Sequence, residues 1–124
     1  MVVDKKKLRQ EYKNIQTVKG VFVIKNNKTG KVLLGSSLNI DGAFNRHRFM
    51  LNLGNHRNKE LQNEWTEGGG EPSFTFEILE TLKQKEDVAY NYDEDLSILE
   101  LMWIDKYRPF AEKCYNENEK IRTV

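Results

Sequence analysis

Two histidines, a glutamate and an arginine are the side chains of this sequence best suited to chemistry. His47 and His56 lie nine residues apart, and an imidazole exchanges protons near neutral pH. Glu100 interrupts an apolar segment, where a carboxylate is unfavourable unless it is paired or bound to a metal ion. Arg46 carries a permanent planar charge that suits a phosphate group. Together these residue types fit proton transfer and the stabilisation of negative charge.

Each of these residues also has a purely structural interpretation. His47 can be a partly buried histidine on the core-facing side of a helix. Glu100 can face solvent, because Leu99 and Trp103 already define a core stripe without it. Arg46 can be a solvated surface charge, as long basic side chains usually are.

A hairpin is the first element expected to position these residues. The dense apolar run at 21–24 is rich in β-branched side chains and predicts a strand buried on both faces. Asparagines and Gly30 at 26–30 predict a turn. Residues 32–34 then form the return strand.

Helices are expected on either side of the histidines. Asn39 or Asp41 can cap a helix that carries His47, and Gly54 ends it. Apolar side chains at helical spacing predict a second helix from about 58 to 65.

A third strand and a third core helix complete the pattern. Alternation over 74–79 predicts a strand with Phe74, Phe76 and Ile78 facing the core. A helix that carries Glu100 runs from Asp93 or Asp95 to just before the proline at 109.

Two tripeptides in the hairpin resemble the signature of the GIY-YIG nuclease superfamily. Gly20-Val21-Phe22 stands in the place of the first, and Leu33-Leu34-Gly35 in the place of the second. The resemblance covers roughly residues 18–116. It implies an α+β fold, a small three-stranded antiparallel sheet flanked by helices. Residues 1–17 would then be an N-terminal helical extension, amphipathic over 5–15, and residues 117–124 a C-terminal tail.

The resemblance also implies roles for particular residues. The two family tyrosines fall at Phe22 and Leu33, which have no hydroxyl, and the family arginine falls at Ala43. The positions that match the site histidines, the metal-binding glutamate and the terminal asparagine are His47, His56, Glu100 and Asn116. The implied centre therefore keeps part of the family's catalytic groups and has lost three.

Two substitutes for the lost groups are available nearby. Arg46 lies one helical turn past Ala43, so its guanidinium could reach the phosphate position. His47 could serve as the base in place of a tyrosine.

A lone carboxylate, Glu100, suits Mg²⁺ or Mn²⁺ that keeps most of its waters. His47 and His56 do not have the spacing of a zinc pair, so no structural zinc is predicted.

Basic residues near the candidate site form a possible contact surface for phosphates. This group consists of Arg46, Arg48, Arg57 and Lys59. A second basic cluster lies at 5–9. A solvated charged face is the ordinary interpretation of both groups.

Three functions remain open at this point. The first is a metal-dependent DNA endonuclease with a weak, altered centre. The second is a nucleic-acid- or protein-binding module that kept the fold and lost the reaction. The third is a scaffold that pairs with another chain. In the first case, target specificity would come from this domain or from a protein partner.

Composition limits the class of protein further. The 124 residues suffice for one domain, and the net charge of +1 argues against an extended basic arm without excluding a local basic patch. No apolar run has the length of a membrane helix, so no membrane span is expected. Cys114 is the single cysteine, which favours a reducing, cytoplasmic location.

Overall fold

The computed structural model describes residues 17–87 and 89–116, and within them three antiparallel strands are flanked by three helices. The strands are β1 (Gly20–Asn26), β2 (Val32–Ser37) and β3 (Phe74–Thr81), in the sheet order β2-β1-β3. The predicted α+β architecture is therefore confirmed. The helix expected over 5–15 and the tail at 117–124 lie outside the described residues.

The central strand β1 divides the hydrophobic core into two parts. Phe22 and Ile24 point into one cluster, which lies under the helices that follow the hairpin. Val21 and Val23 point into the other, which contains Leu99 of the last helix. Each face of β1 is thus covered by its own cluster, as the continuous apolar run predicted.

The first helix begins and ends at predicted signals, and the second lies within two residues of its predicted bounds. Helix α1 (Ile40–Leu53) is capped by Asn39, whose side chain accepts the N–H of Gly42. It ends at Gly54, which adopts φ 81°, the left-handed conformation that glycine tolerates best. Helix α2 (Lys59–Glu67) is capped by the side chain of Asn58.

One predicted core residue lies at the surface. Ile78 is 41% exposed, so the prediction that it faces the core is wrong. The pairing of β1 with β3 shifts between Val21 and Phe22, which makes Leu79 an extra residue on β3. Leu79 packs against the cluster around Val21, while Ile78 stays at the exposed edge of the sheet.

The last described helix, α3 (Asp93–Tyr107), packs against β1 and β2 and ends before Pro109 as predicted. A 3₁₀ segment, Arg108–Lys113, follows it. Cys114 then pairs with Val32 as a parallel bridge, so the chain returns to the edge of β2. The sequence pattern gave no assignment for this returning segment.

No helix in the described part of the chain combines the length and the apolar content that crossing a bilayer requires.

Candidate active site

A cleft of about 470 Å³ lies between the β1–β2 hairpin, α1 and α3. The five residues predicted to be catalytic all line it: Arg46, His47, His56, Glu100 and Asn116. They come from α1, the α1–α2 loop, α3 and the returning C-terminal segment. The fold therefore gathers into one place side chains that are far apart in the sequence.

The part of the cleft formed by the hairpin is apolar where the family has tyrosines. Phe22 and Leu33 both line the cleft, as does Ala43 at the position of the family arginine. Phe22 lies opposite Gly35 on β2, and a Cβ on Gly35 would come within 2.6 Å of the tip of the Phe22 ring. Glycine is thus what allows this ring to lie across β2.

The two histidines contact each other directly. Nδ1 of His47 lies 2.8 Å from Nε2 of His56, and the ring centroids are 5.0 Å apart at an interplanar angle of 28°. The rings of Phe22 and His47 pack in an edge-to-face arrangement, with centroids 5.7 Å apart. The histidine pair is therefore bounded by hydrocarbon on the hairpin side.

His56 lies in the loop between α1 and α2 and is held by residues at the start of α2. Its backbone N–H donates to Oε1 of Gln62 at 3.0 Å, and its Nδ1 accepts the backbone N–H of Asn58 at 3.0 Å. Gln62 is itself buried and donates to the carbonyl of Leu51 at 2.9 Å. Both the backbone and the ring of His56 are thus fixed by the start of α2.

This environment keeps the histidines neutral near neutral pH. Burial lowers the pKa of His47 to about 4, and His56, Arg46 and Arg57 act in the same direction through their positive charge. Burial also lowers the pKa of His56, again with help from the charge of Arg57. Neutral imidazoles are consequently the species available for chemistry.

Glu100 reaches the cleft from α3 and is held by a serine of the hairpin. The hydroxyl of Ser36, at the end of β2, donates to Oε2 of Glu100. The half-buried carboxylate is thus not a solvent-facing surface charge. The sequence reasoning missed Ser36, and the signal that could have found it is a hydroxyl residue directly after the second tripeptide.

The side-chain amide of Asn116 forms two hydrogen bonds with the backbone of β2. Its Oδ1 accepts the N–H of Leu34 at 2.8 Å, and its Nδ2 donates to the carbonyl of Leu34 at 2.8 Å. Asn116 therefore borders the cleft as a residue that fixes the strand carrying Leu33 and Gly35.

The predicted basic group is divided between two locations. Arg46 and Arg57 line the cleft, whereas Arg48 and Lys59 do not. Nε of Arg48 lies 2.7 Å from Oε1 of Glu71, and its guanidinium lies over the ring of Phe76. Positive charge at the cleft thus comes from the exposed side chains Arg46 and Arg57.

Two solved structures resemble this chain over most of its length. The catalytic domain of intron endonuclease I-TevI, in a mutant form, matches with a TM-score of 0.64 and 26% sequence identity, covering 81% of this chain and 93% of that one. The catalytic domain of homing endonuclease I-TevI matches with a TM-score of 0.62 and 26% identity, covering 79% and 96%. No protein-family model and no curated protein sequence matches the chain.

Both similar structures are of the catalytic domain of a GIY-YIG nuclease. The resemblance indicated by the sequence motifs is therefore confirmed, and this chain has the GIY-YIG nuclease fold.

Proposed function

We propose that this protein is a metal-dependent DNA phosphodiester hydrolase with a weak catalytic centre. The observation that carries the proposal is the convergence of Arg46, His47, His56 and Glu100 on one cleft. Hydrolysis of a phosphodiester builds negative charge on the non-bridging oxygens, and cations beside the phosphate stabilise that charge. The exposed guanidinium groups of Arg46 and Arg57 can bind the substrate backbone at the mouth of the cleft.

The donor set at Glu100 suits Mg²⁺ or Mn²⁺ held largely by water. Glu100 is the carboxylate in the cleft lining, and Ser36 orients it. Across residues 17–87 and 89–116, no three His, Cys, Asp or Glu side chains converge into a metal cluster. A single carboxylate in an open cleft matches the habit of Mg²⁺ to keep several waters. When bound, the ion would supply positive charge next to the scissile phosphate.

Low activity follows from the residues that line the hairpin side. Phe22 and Leu33 cannot exchange a proton, and Ala43 cannot donate to a phosphate oxygen. Loss of one preorganised stabiliser commonly lowers the rate by about 10²–10³-fold, although losses within one site do not simply add.

Cleavage of plasmid and single-stranded DNA with Mg²⁺ or Mn²⁺ tests the proposal. We expect slow cleavage by the wild-type protein and a further loss of at least about 10-fold in Glu100→Gln, because the metal-binding carboxylate is removed. Glu67→Gln, at the exposed end of α2, is the matched control and should cleave like wild type. Intact DNA at high protein concentration with either metal would reject the hydrolase.

A binding module on the same fold is the second candidate. The observation that favours it is that Phe22, Leu33 and Ala43, which line the cleft, can neither exchange a proton nor bind a phosphate oxygen. A module of this kind would bind DNA, RNA or a protein partner equally well with and without the carboxylate of Glu100. Binding without cleavage, unchanged in Glu100→Gln, would support it over the hydrolase.

A further inference from the structure

The hydrogen bonds around the histidine pair determine which ring nitrogens carry protons. The backbone N–H of Asn58 donates to Nδ1 of His56 at 3.0 Å, so this nitrogen must present a lone pair. A neutral His56 therefore carries its proton on Nε2. Since Nε2 of His56 lies 2.8 Å from Nδ1 of His47, His56 is the donor in that bond and His47 is the acceptor.

The same reasoning gives the tautomer of His47. Nδ1 of His47 accepts from His56, so the proton of a neutral His47 is on Nε2. The reverse arrangement would place a proton on Nδ1 of His47 and leave both nitrogens of His56 without one. That arrangement requires an imidazolate anion, which is not accessible near neutral pH. Nε2–H is consequently the group that His47 has left for a ligand in the cleft.

The surrounding charges keep this arrangement neutral. Arg46 on α1 and Arg57 in the loop both oppose protonation of His47, as does burial beside Phe22. Glu100 on α3 is the acidic group lining the same cleft. Protonation at Nδ1 would also set two N–H groups against each other and break the bond between the rings.

We propose that His56 is a positioning residue that holds His47 as a neutral hydrogen-bond donor to a non-bridging oxygen of a bound phosphodiester. This inference rests on the proposed hydrolase and names the role of one of its residues. It replaces the role of base that the sequence suggested for His47, because the lone pair of Nδ1 is engaged by His56 and Nε2 already carries a proton. The proton stays on Nε2, since its transfer would again leave an imidazolate.

Nuclear magnetic resonance of the imidazole nitrogens tests the tautomers without any cleavage assay. The chain contains two histidines, so untagged ¹⁵N-labelled protein gives two sets of ring signals. At pH 7 both rings should show a protonated Nε2 and an unprotonated Nδ1. A proton on Nδ1 of His47 in the wild-type protein overturns the proposal.

Two further measurements test the positioning role and the ligand. In His56→Ala the donor to His47 is absent, so His47 should become a mixture of tautomers; an unchanged single tautomer shows that His56 does not fix it. Dimethyl phosphate, as a phosphodiester probe, should shift the Nε2–H signal of His47 in the wild-type protein. Absence of any shift contradicts the donor role.

Cleavage by two His47 variants separates a donor from a base. His47→Gln keeps an amide donor and should remain within about 10-fold of wild type, whereas His47→Phe should lose about 10²–10³-fold. An equal loss in both variants contradicts the donor role. If wild-type protein shows no cleavage, the hydrolase fails, while the nitrogen signals and the phosphate shift still decide whether His47 is a donor.

Discussion

At the residue scale, Gly35 determines how the apolar side of the cleft is built. An alanine there would place its Cβ 2.6 Å from the tip of the Phe22 ring, a distance that requires the ring to move. The ring is 2% exposed and is held by Phe44 and His47. We expect Gly35→Ala to lower the free energy of unfolding by about 1–3 kcal/mol, as overpacking usually does.

Urea unfolding of a double-mutant cycle checks this prediction. Phe22→Leu shortens the side chain with which the new Cβ of Gly35→Ala would clash. Gly35→Ala should therefore lower the free energy of unfolding by less in the Phe22→Leu background than in wild type. Equal losses in both backgrounds would show that the ring is not the cause.

The apolar residues on the hairpin side of the cleft also help to explain why the histidine pair is neutral. The ring of Phe22, whose centroid lies 5.7 Å from that of His47, carries no polar group and helps to exclude water from the imidazole. Desolvation penalises the charged form of an imidazole, so the apolar hairpin favours a neutral pair. The hydrocarbon on the hairpin side of the cleft thus also favours the neutral state of His47.

At the element scale, the caps of α1 and α2 differ in what they hold. The side chain of Asn39 accepts one N–H, that of Gly42 at 3.1 Å. Asn58 accepts the N–H of Leu61 at 3.0 Å and also donates to the carbonyl of Tyr115 at 2.5 Å, which ties α2 to the C-terminal segment.

We therefore predict unequal costs for the two cap substitutions. Asn39→Ala should lower the free energy of unfolding by about 1 kcal/mol, the usual value of an N-cap. Asn58→Ala should lower it by about 2 kcal/mol, because a second, half-buried hydrogen bond is lost as well. Denaturant unfolding measures both, with Asn63→Ala on the exposed face of α2 as the control. A smaller cost for Asn58→Ala than for Asn39→Ala would contradict this ranking.

Asn116 stabilises the edge of β2, and hydrogen exchange at one backbone amide, that of Leu34, can measure this. Both hydrogen bonds of this side chain go to Leu34, so Asn116→Ala leaves the N–H of Leu34 without its partner. Hydrogen exchange at that amide should become at least about 10-fold faster, which corresponds to about 1.4 kcal/mol. Asn63→Ala should leave the rate unchanged. A protected Leu34 amide in Asn116→Ala would mean that another group holds this edge.

Elements with local signals were predictable, and contacts between distant segments were not. The strand around Val23 and the helix end at Gly54 were each predicted from a few neighbouring residues and are confirmed. The cap was predicted at Asn39 or Asp41, and the structure places it at Asn39. The pairing of Ser36 with Glu100 joins segments that no periodicity connects. Ile78 was misplaced because alternation predicts the face of a strand but not whether another element covers that face: Ile78 pairs with Phe22 and is still 41% exposed.

At the scale of the whole molecule, the proposed DNA binding would depend on a few local arginines, because the net charge of the chain is only +1. Arg57 lines the cleft, whereas Arg48 is paired with Glu71. Each phosphate contact contributes about 0.9 to the slope of log K against log salt concentration for duplex DNA. We expect Arg57→Gln to reduce the slope by about 1 and Arg48→Gln to leave it unchanged. Equal changes in both variants, measured by fluorescence anisotropy, would place the phosphate contacts elsewhere.

The stability of the whole molecule should depend on pH through His47. Its pKa is about 4 in the folded protein, against 6.5 ordinarily, so between these values the unfolded chain binds a proton that the folded chain does not. The free energy of unfolding must then fall as pH drops from about 6.5 to about 4. We expect this residue to contribute about 2 kcal/mol of the loss, after allowance for partial exposure. His56, whose pKa is also lowered, acts in the same sense.

Comparison with His47→Gln isolates this contribution, because glutamine does not titrate while the carboxylates respond to acid in both proteins. Urea unfolding between pH 4 and pH 7 should give a shallower dependence for the variant, with the two curves converging toward acid pH. The reason is that, in this range, the unfolded wild-type chain takes up a proton on His47 that the folded protein does not bind. Parallel curves across this range would mean that His47 titrates normally in the folded state and that the hydrocarbon around it does not exclude water.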